Sequence, residues 1–233
     1  MTASAALQAS SSGLIEKEAR GKREAFESLK VRLSRKPSLP VDALIPTAIP
    51  QLDRLLGGGL PAGTLATLEG TGGRWSLAAG LLAAMTRRSL VAILDDGGLY
   101  PPDLAETGAC LERVLIVPAR KALAMARAAD ILLRSQICGL VLMPAAALRD
   151  AVWERLAKLA HRSGVLLVVI APQAGAALSA AAGVRLHCVL ERIVIKGGRG
   201  LWGTMSGFDL CVALRKHKHM AAEGNAQVHV SSA

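Results

Sequence analysis

Between residues 65 and 171, short apolar runs alternate with longer segments of helical period. The runs at 65–69, 89–95, 113–117, 139–143 and 165–171 are strand-sized and apolar on both faces, so each needs cover on both sides. Helical spacing marks the segments between them, 75–86, 103–108, 121–135 and 148–161. Helices that cross from one strand to the next supply that cover and make the strands parallel. After residue 171 the pattern changes: 184–195 and 206–215 read as long strands around a Gly-rich turn at 196–203, an antiparallel hairpin appended to the parallel sheet. A short helix at 49–56 closes on Gly57, Gly58 and Gly59 ahead of the first strand.

The fold class expected is therefore α/β, a three-layer core with a mostly parallel sheet and a C-terminal hairpin, preceded by an N-terminal helix. Four segments follow. Residues 1–13, rich in Ser and Ala, are expected to be disordered. Residues 14–40 form an amphipathic helix, with Ile15, Phe26, Leu29 and Leu33 on one face, and a linker through Pro37 and Pro40. Residues 41–219 are the core domain, and 220–233 a flexible tail. A hydrophobic share of 52% suffices for one core, and no apolar run reaches membrane-span length. Cys110, Cys138, Cys188 and Cys211 lie far apart and form no C-x-x-C. With no secretion signal at the start, that usage predicts a cytoplasmic protein with free thiols.

Net charge is +10, and it is gathered at two ends. Residues 1–40 hold eight basic side chains against four acidic, and residues 185–219 hold seven against two. Clustered positive charge implies an anionic partner, nucleic acid or an acidic protein surface, although a solvated surface has the same composition. DNA contact is assigned to Arg192, Lys196, Arg199 and Arg215, with Trp202 as a stacking ring, salt-sensitive and without sequence preference. The five histidines are scattered without acids or cysteines at ligand spacing, so no metal is expected.

Strand, glycines and helix meet at T-L-A-T-L-E-G-T-G-G-R-W-S-L, residues 64–77. These are the parts of a phosphate-binding loop, which needs G-x-x-x-x-G-K-[S/T]. Gly70, Gly72, Gly73 and Arg74 are the candidate cradle. Only two residues separate Gly70 from Gly73, Arg74 takes the place of Lys, and Trp75 the place of the Mg²⁺ hydroxyl. A loop that short cannot curl round a triphosphate, and an indole cannot ligate a hard cation. No cofactor is expected.

The segment I-P-T-A-I-P-Q-L-D-R-L-L-G-G-G-L-P-A-G at 45–63 resembles the lead-in to the phosphate loop of the RecA recombinase family. A-G-V-R-L at 182–186 resembles the strand that opens that family's C-terminal hairpin, and L-R-K-H-K at 214–218 its late K-x-K strand. The resemblance covers about residues 45–218. The family's catalytic Glu falls at Gly97 in D-D-G-G, with Asp95 and Asp96 one or two positions off, and the Walker B acid at Met143. With lysine, hydroxyl and acids missing, no ATP hydrolysis is expected. The resemblance also implies that Lys216 and Lys218 serve a subunit interface. A RecA-like core with these losses, an N-terminal helix and a basic tail is similar to the ImuA family of damage-induced mutagenesis. That likeness implies a non-catalytic adaptor that binds RecA and ImuB, with an error-prone DNA polymerase and DNA as further contacts. A weak DNA-dependent ATPase and a plain DNA-binding module are the other readings, and homo-oligomerisation stays open.

Overall fold

A computed structural model describes residues 43–99, 101–196, 204–220 and 224–231. The expected N-terminal helix with Ile15, Phe26, Leu29 and Leu33, and Arg199 and Trp202 of the hairpin turn, lie outside them. Ten strands and six α-helices occur among these residues. In chain order they are β1 (Leu44–Ile45), α1 (Pro50–Leu55), β2 (Leu60–Pro61), β3 (Leu65–Gly70), α2 (Arg74–Thr86), β4 (Leu90–Asp95) and α3 (Pro101–Glu106). There follow β5 (Val114–Pro118), α4 (Ala122–Ser135), β6 (Cys138–Pro144), α5 (Asp150–Ser163), β7 (Leu166–Ile170), α6 (Ala176–Ala181), β8 (Val184–Lys196), β9 (Thr204–His217) and β10 (Asn225–Ser231).

Eight strands form one sheet in the order β10-β9-β8-β3-β7-β6-β4-β5; β1 and β2 make a separate pair. From β5 across to β8 every neighbouring pair is parallel, and β9 and β10 run antiparallel at the far side. The chain steps from β3 to β4 and β5 in one direction, then returns through β6 and β7. Right-handed crossovers therefore put α2 and α3 on one face and α4, α5 and α6 on the other. The two faces take alternate residues of each strand. Ala66, Leu68, Ile93, Leu142 and Val168 join α1 and α2 in one buried cluster with Leu52, Leu77 and Leu81. On α5, Trp153, Leu156 and Ala160 are the buried positions, the spacing of a helix lying on the opposite face.

The fold class read from the sequence is the one observed, with two corrections outside the parallel core. The expected tail 220–233 contains β10, whose seven residues all pair with β9. The stretch 174–183, to which no element is assigned from the sequence, contains α6. Five of its six residues favour helix strongly or are Ala itself, and Lys216 supplies cover at its end, where Nζ donates to the carbonyls of Ser179 and Ala180 at 3.1 and 3.0 Å. β8 and β9 also outrun the sheet. Val184 to Cys188 pair with β3, and the rest of β8 continues past the end of β3 with β9 alone.

Candidate functional site

The strand ends that could hold a ligand in an open parallel sheet are the carboxyl ends, where crossovers part in opposite directions. Here the chain leaves β3 through Gly70, Thr71, Gly72 and Gly73 and enters α2 at Arg74. Gly70 has φ +120° and Gly73 φ +75°, conformations that side chains disfavour. Close contact accounts for the glycines. A Cβ on Gly70 would lie 1.8 Å from the carbonyl oxygen of Cys188, one on Gly72 2.8 Å from Cβ of Leu190, and one on Gly73 2.2 Å from Cδ2 of Leu210. All three neighbours belong to β8 and β9, so the hairpin lies directly on the loop. The sequence-derived cradle is one turn in space, and its glycines make room for the protein's own strands.

Gly70 and Arg74 of the loop are also engaged internally. Gly70 N–H donates to the carbonyl of Pro172 at 2.9 Å. Arg74 turns back, and its Nη1 donates to the carbonyl of Gly70 at 2.6 Å. Beside α2 a cleft of about 550 Å³ runs along the ends of β4 and β6, lined by Trp75, Ser76, Leu82, Leu99 and Leu142 with Asp95 and Asp96. Among the described residues its lining includes two carboxylates and no Lys or Arg, an electrostatic setting that opposes a phosphate chain. Asp95 Oδ1 accepts from the N–H groups of Gly97 and Leu99 at 2.9 and 3.0 Å, which ties the loop after β4. Met143 is fully buried and Pro144 ends β6, so the strand end matched to the Walker B acid is apolar.

Sequence reasoning missed the group next to the loop, Glu69. It is buried at the end of β3 and takes both forks of the Arg185 guanidinium, Nε to Oε1 at 2.8 Å and Nη2 to Oε2 at 2.9 Å. Thr67 Oγ1 donates to Oε1 at 2.7 Å and Ala174 N–H to Oε2 at 3.3 Å. Burial pushes this carboxyl up, yet the hydrogen bonds from Arg185, Thr67 and Ala174 outweigh it and hold it below its ordinary value. The ion pair locks β3 to β8 and to the segment before α6. An acid closing an otherwise apolar run was the available signal.

In structure the chain is similar to the RadB recombinase, seen in a crystal structure. The TM-score is 0.62 at 19% sequence identity, over 79% of this chain and 94% of that one. No protein-family model and no curated protein sequence matches the chain. The fold is RecA-like. Within that RecA-like frame, the lead-in 45–63 spans the end of β1, α1 and β2, and A-G-V-R-L opens β8. L-R-K-H-K closes β9, where its two lysines part company. Lys216 serves the end of α6, while Lys218 is exposed beside His161 and Arg162. His217 between them is buried with Nε2 unpartnered, and burial, then His219, pushes its pKa down.

The residues assigned to DNA divide as well. Arg192 is exposed, yet its Nε and Nη2 both donate to Asp209 Oδ2 at 2.8 and 2.6 Å, and His229 Nδ1 sits 2.7 Å from the other oxygen. Lys196 is exposed at the end of β8 and Arg215 on β9. The basic end counted along the sequence is therefore thinner in space, because Arg185, Arg192 and Lys216 each answer an internal acceptor.

Proposed function

We propose that the chain is a non-catalytic RecA-like adaptor of DNA-damage tolerance. It binds RecA and an ImuB-type polymerase-like subunit, modulates the RecA filament and links it to an error-prone DNA polymerase. The observation that carries this reading is the loop after β3, where β8 and β9 fill the space at Gly70, Gly72 and Gly73 and Arg74 is bound to Gly70. A phosphate loop works by presenting free backbone N–H groups, a lysine and a metal-binding hydroxyl. This one presents an Arg tied to its own backbone, a Trp, and a neighbouring cleft whose charged side chains, among the described residues, are the carboxylates of Asp95 and Asp96. What the RecA-like frame retains is surface. The sequence motifs at 45–63, 182–186 and 214–218 and the amphipathic face of Ile15, Phe26, Leu29 and Leu33 support a role through contacts.

Phosphate release by RecA on single-stranded DNA, with and without this chain and by this chain alone, tests the proposal. Silence of the chain alone together with a changed RecA rate is expected, and Arg74→Ala should leave the change intact. Turnover by the chain alone would overturn the non-catalytic reading. Deleting residues 1–40 should abolish binding to RecA and ImuB; intact binding would remove that segment from the mechanism.

A further inference from the structure

We infer that the outer edge of β10 is a self-association site, through which two copies of this chain join antiparallel about Val228 into one continuous sheet. β10 is an end strand of the eight-stranded sheet. Leu214 N–H donates to the carbonyl of Gly224 at 3.0 Å, which sets the phase of the ladder. Ala226, Val228 and Val230 exchange bonds with β9, so Asn225, Gln227, His229 and Ser231 turn their N–H and C=O groups outward. Among the described residues, no backbone hydrogen bond reaches those outward groups.

Natural sheets protect such edges with Lys, Pro or bulges. The opposite edge, β5, ends on Pro118 and is flanked by Arg113, Arg120 and Lys121. β10 reads N-A-Q-V-H-V-S, with no Lys, Arg, Asp, Glu or Pro, in a chain of net charge +10. No bulge interrupts its seven pairs with β9. A bare edge on so cationic a chain is where two copies meet without charge repulsion.

The sequence of the strand is self-complementary about its centre. Antiparallel pairing centred on Val228 sets Val228 against itself, Ala226 against Val230, Gln227 against His229 and Asn225 against Ser231. Apolar residues then meet on the core face and polar ones on the other, as alternation requires. That core face also carries apolar surface to the edge. Ile193 pairs with Phe208 and Phe208 with Val230, a row across three strands; Ile193 is 53% exposed and the other two are half-buried. In the pairing, Val230 meets Ala226 of the second copy, on the strand against which that copy's α1 packs. The row then continues into the second copy's buried cluster, which contains Ala226 and Val228.

Mass measurement of the full 233-residue chain in solution, by light scattering during size exclusion, is the test. A dimer is expected. Gln227→Pro removes an outward donor and nothing bonded to β9, and Val230→Lys places charge at the junction. Each should weaken the dimer at least about tenfold, since two symmetric contacts are lost at once. Circular dichroism of both variants should match the parent. The register is read by Val228→Cys: residues facing each other across a non-hydrogen-bonded pair lie about 4.5 Å apart at Cα, within disulfide reach. Oxidation should yield a covalent dimer that the parent does not form. A monomeric parent, or a dimer unchanged by Gln227→Pro and Val230→Lys, overturns the site.

Discussion

Gly70 is fixed by two constraints at once, a φ of +120° and the Cys188 carbonyl where a Cβ would go. Gly70→Ala should cost on the order of 3 kcal/mol or more, because neither partner of the collision is the free end of a side chain. Chemical denaturation would show it; a loss under about 1 kcal/mol would mean that β8 does not lie on the loop. Glu69 poses the reverse problem, a side chain whose removal strands its partner. Glu69→Ala leaves Arg185 half-buried without its acid and should cost about 3 kcal/mol, the low end for a broken buried pair since the guanidinium touches solvent. Glu69 offered a signal in the sequence, as an acid ending an apolar run, although it was passed over. Its partner offered none, for Arg185 lies 116 positions away and becomes a neighbour only once β8 settles beside β3.

Secondary elements divide by how much of their cause is local. The strands of the parallel core were legible because each is apolar on both faces, and the crossing helices because their apolar residues keep helical spacing. α6 and β10 were hidden for different reasons. α6 has six residues and relies on Lys216, distant in sequence, for cover at its last carbonyls. Lys216→Met should therefore weaken the fold by about 0.5–1 kcal/mol, read in the same denaturation assay. β10 alternates cleanly but is a single short strand, and only the long β9 beside it makes the alternation worth forming. The hairpin and the helices also decide the thiols. Burial pushes Cys138 and Cys188 up to about 12, so their alkylation in the native protein at mild alkaline pH should be on the order of a thousandfold slower than that of a free thiol. Mass mapping of the labelled cysteines checks it; fast reaction at Cys188 would put β8 elsewhere.

The whole molecule should lose stability on acidification in two stages. His217 has its pKa lowered from 6.5 in the fold, so the unfolded chain binds its proton more readily and stability declines as pH falls below that value. Glu69 is lowered from 4.5, so its contribution is complete above that pH and disappears as pH falls through the folded value. Unfolding midpoints from pH 8 down to 3 should show both limbs, and His217→Leu should flatten the upper one. The candidate site was less legible than the fold for a physical reason. The spacing of Gly70 and Gly73, with Arg74 and Trp75, told in the sequence that the turn departs from a phosphate loop, but what occupies the space beside its glycines becomes visible only once β8 and β9 lie against them. That arrangement makes the turn hard to convert into a phosphate loop. Placing Lys at 74 and Thr at 75 supplies two groups of a phosphate loop but leaves Cys188, Leu190 and Leu210 against the glycines. Each such change loses packing before it gains a ligand, so only several coordinated changes, never one, would give this turn room for a phosphate.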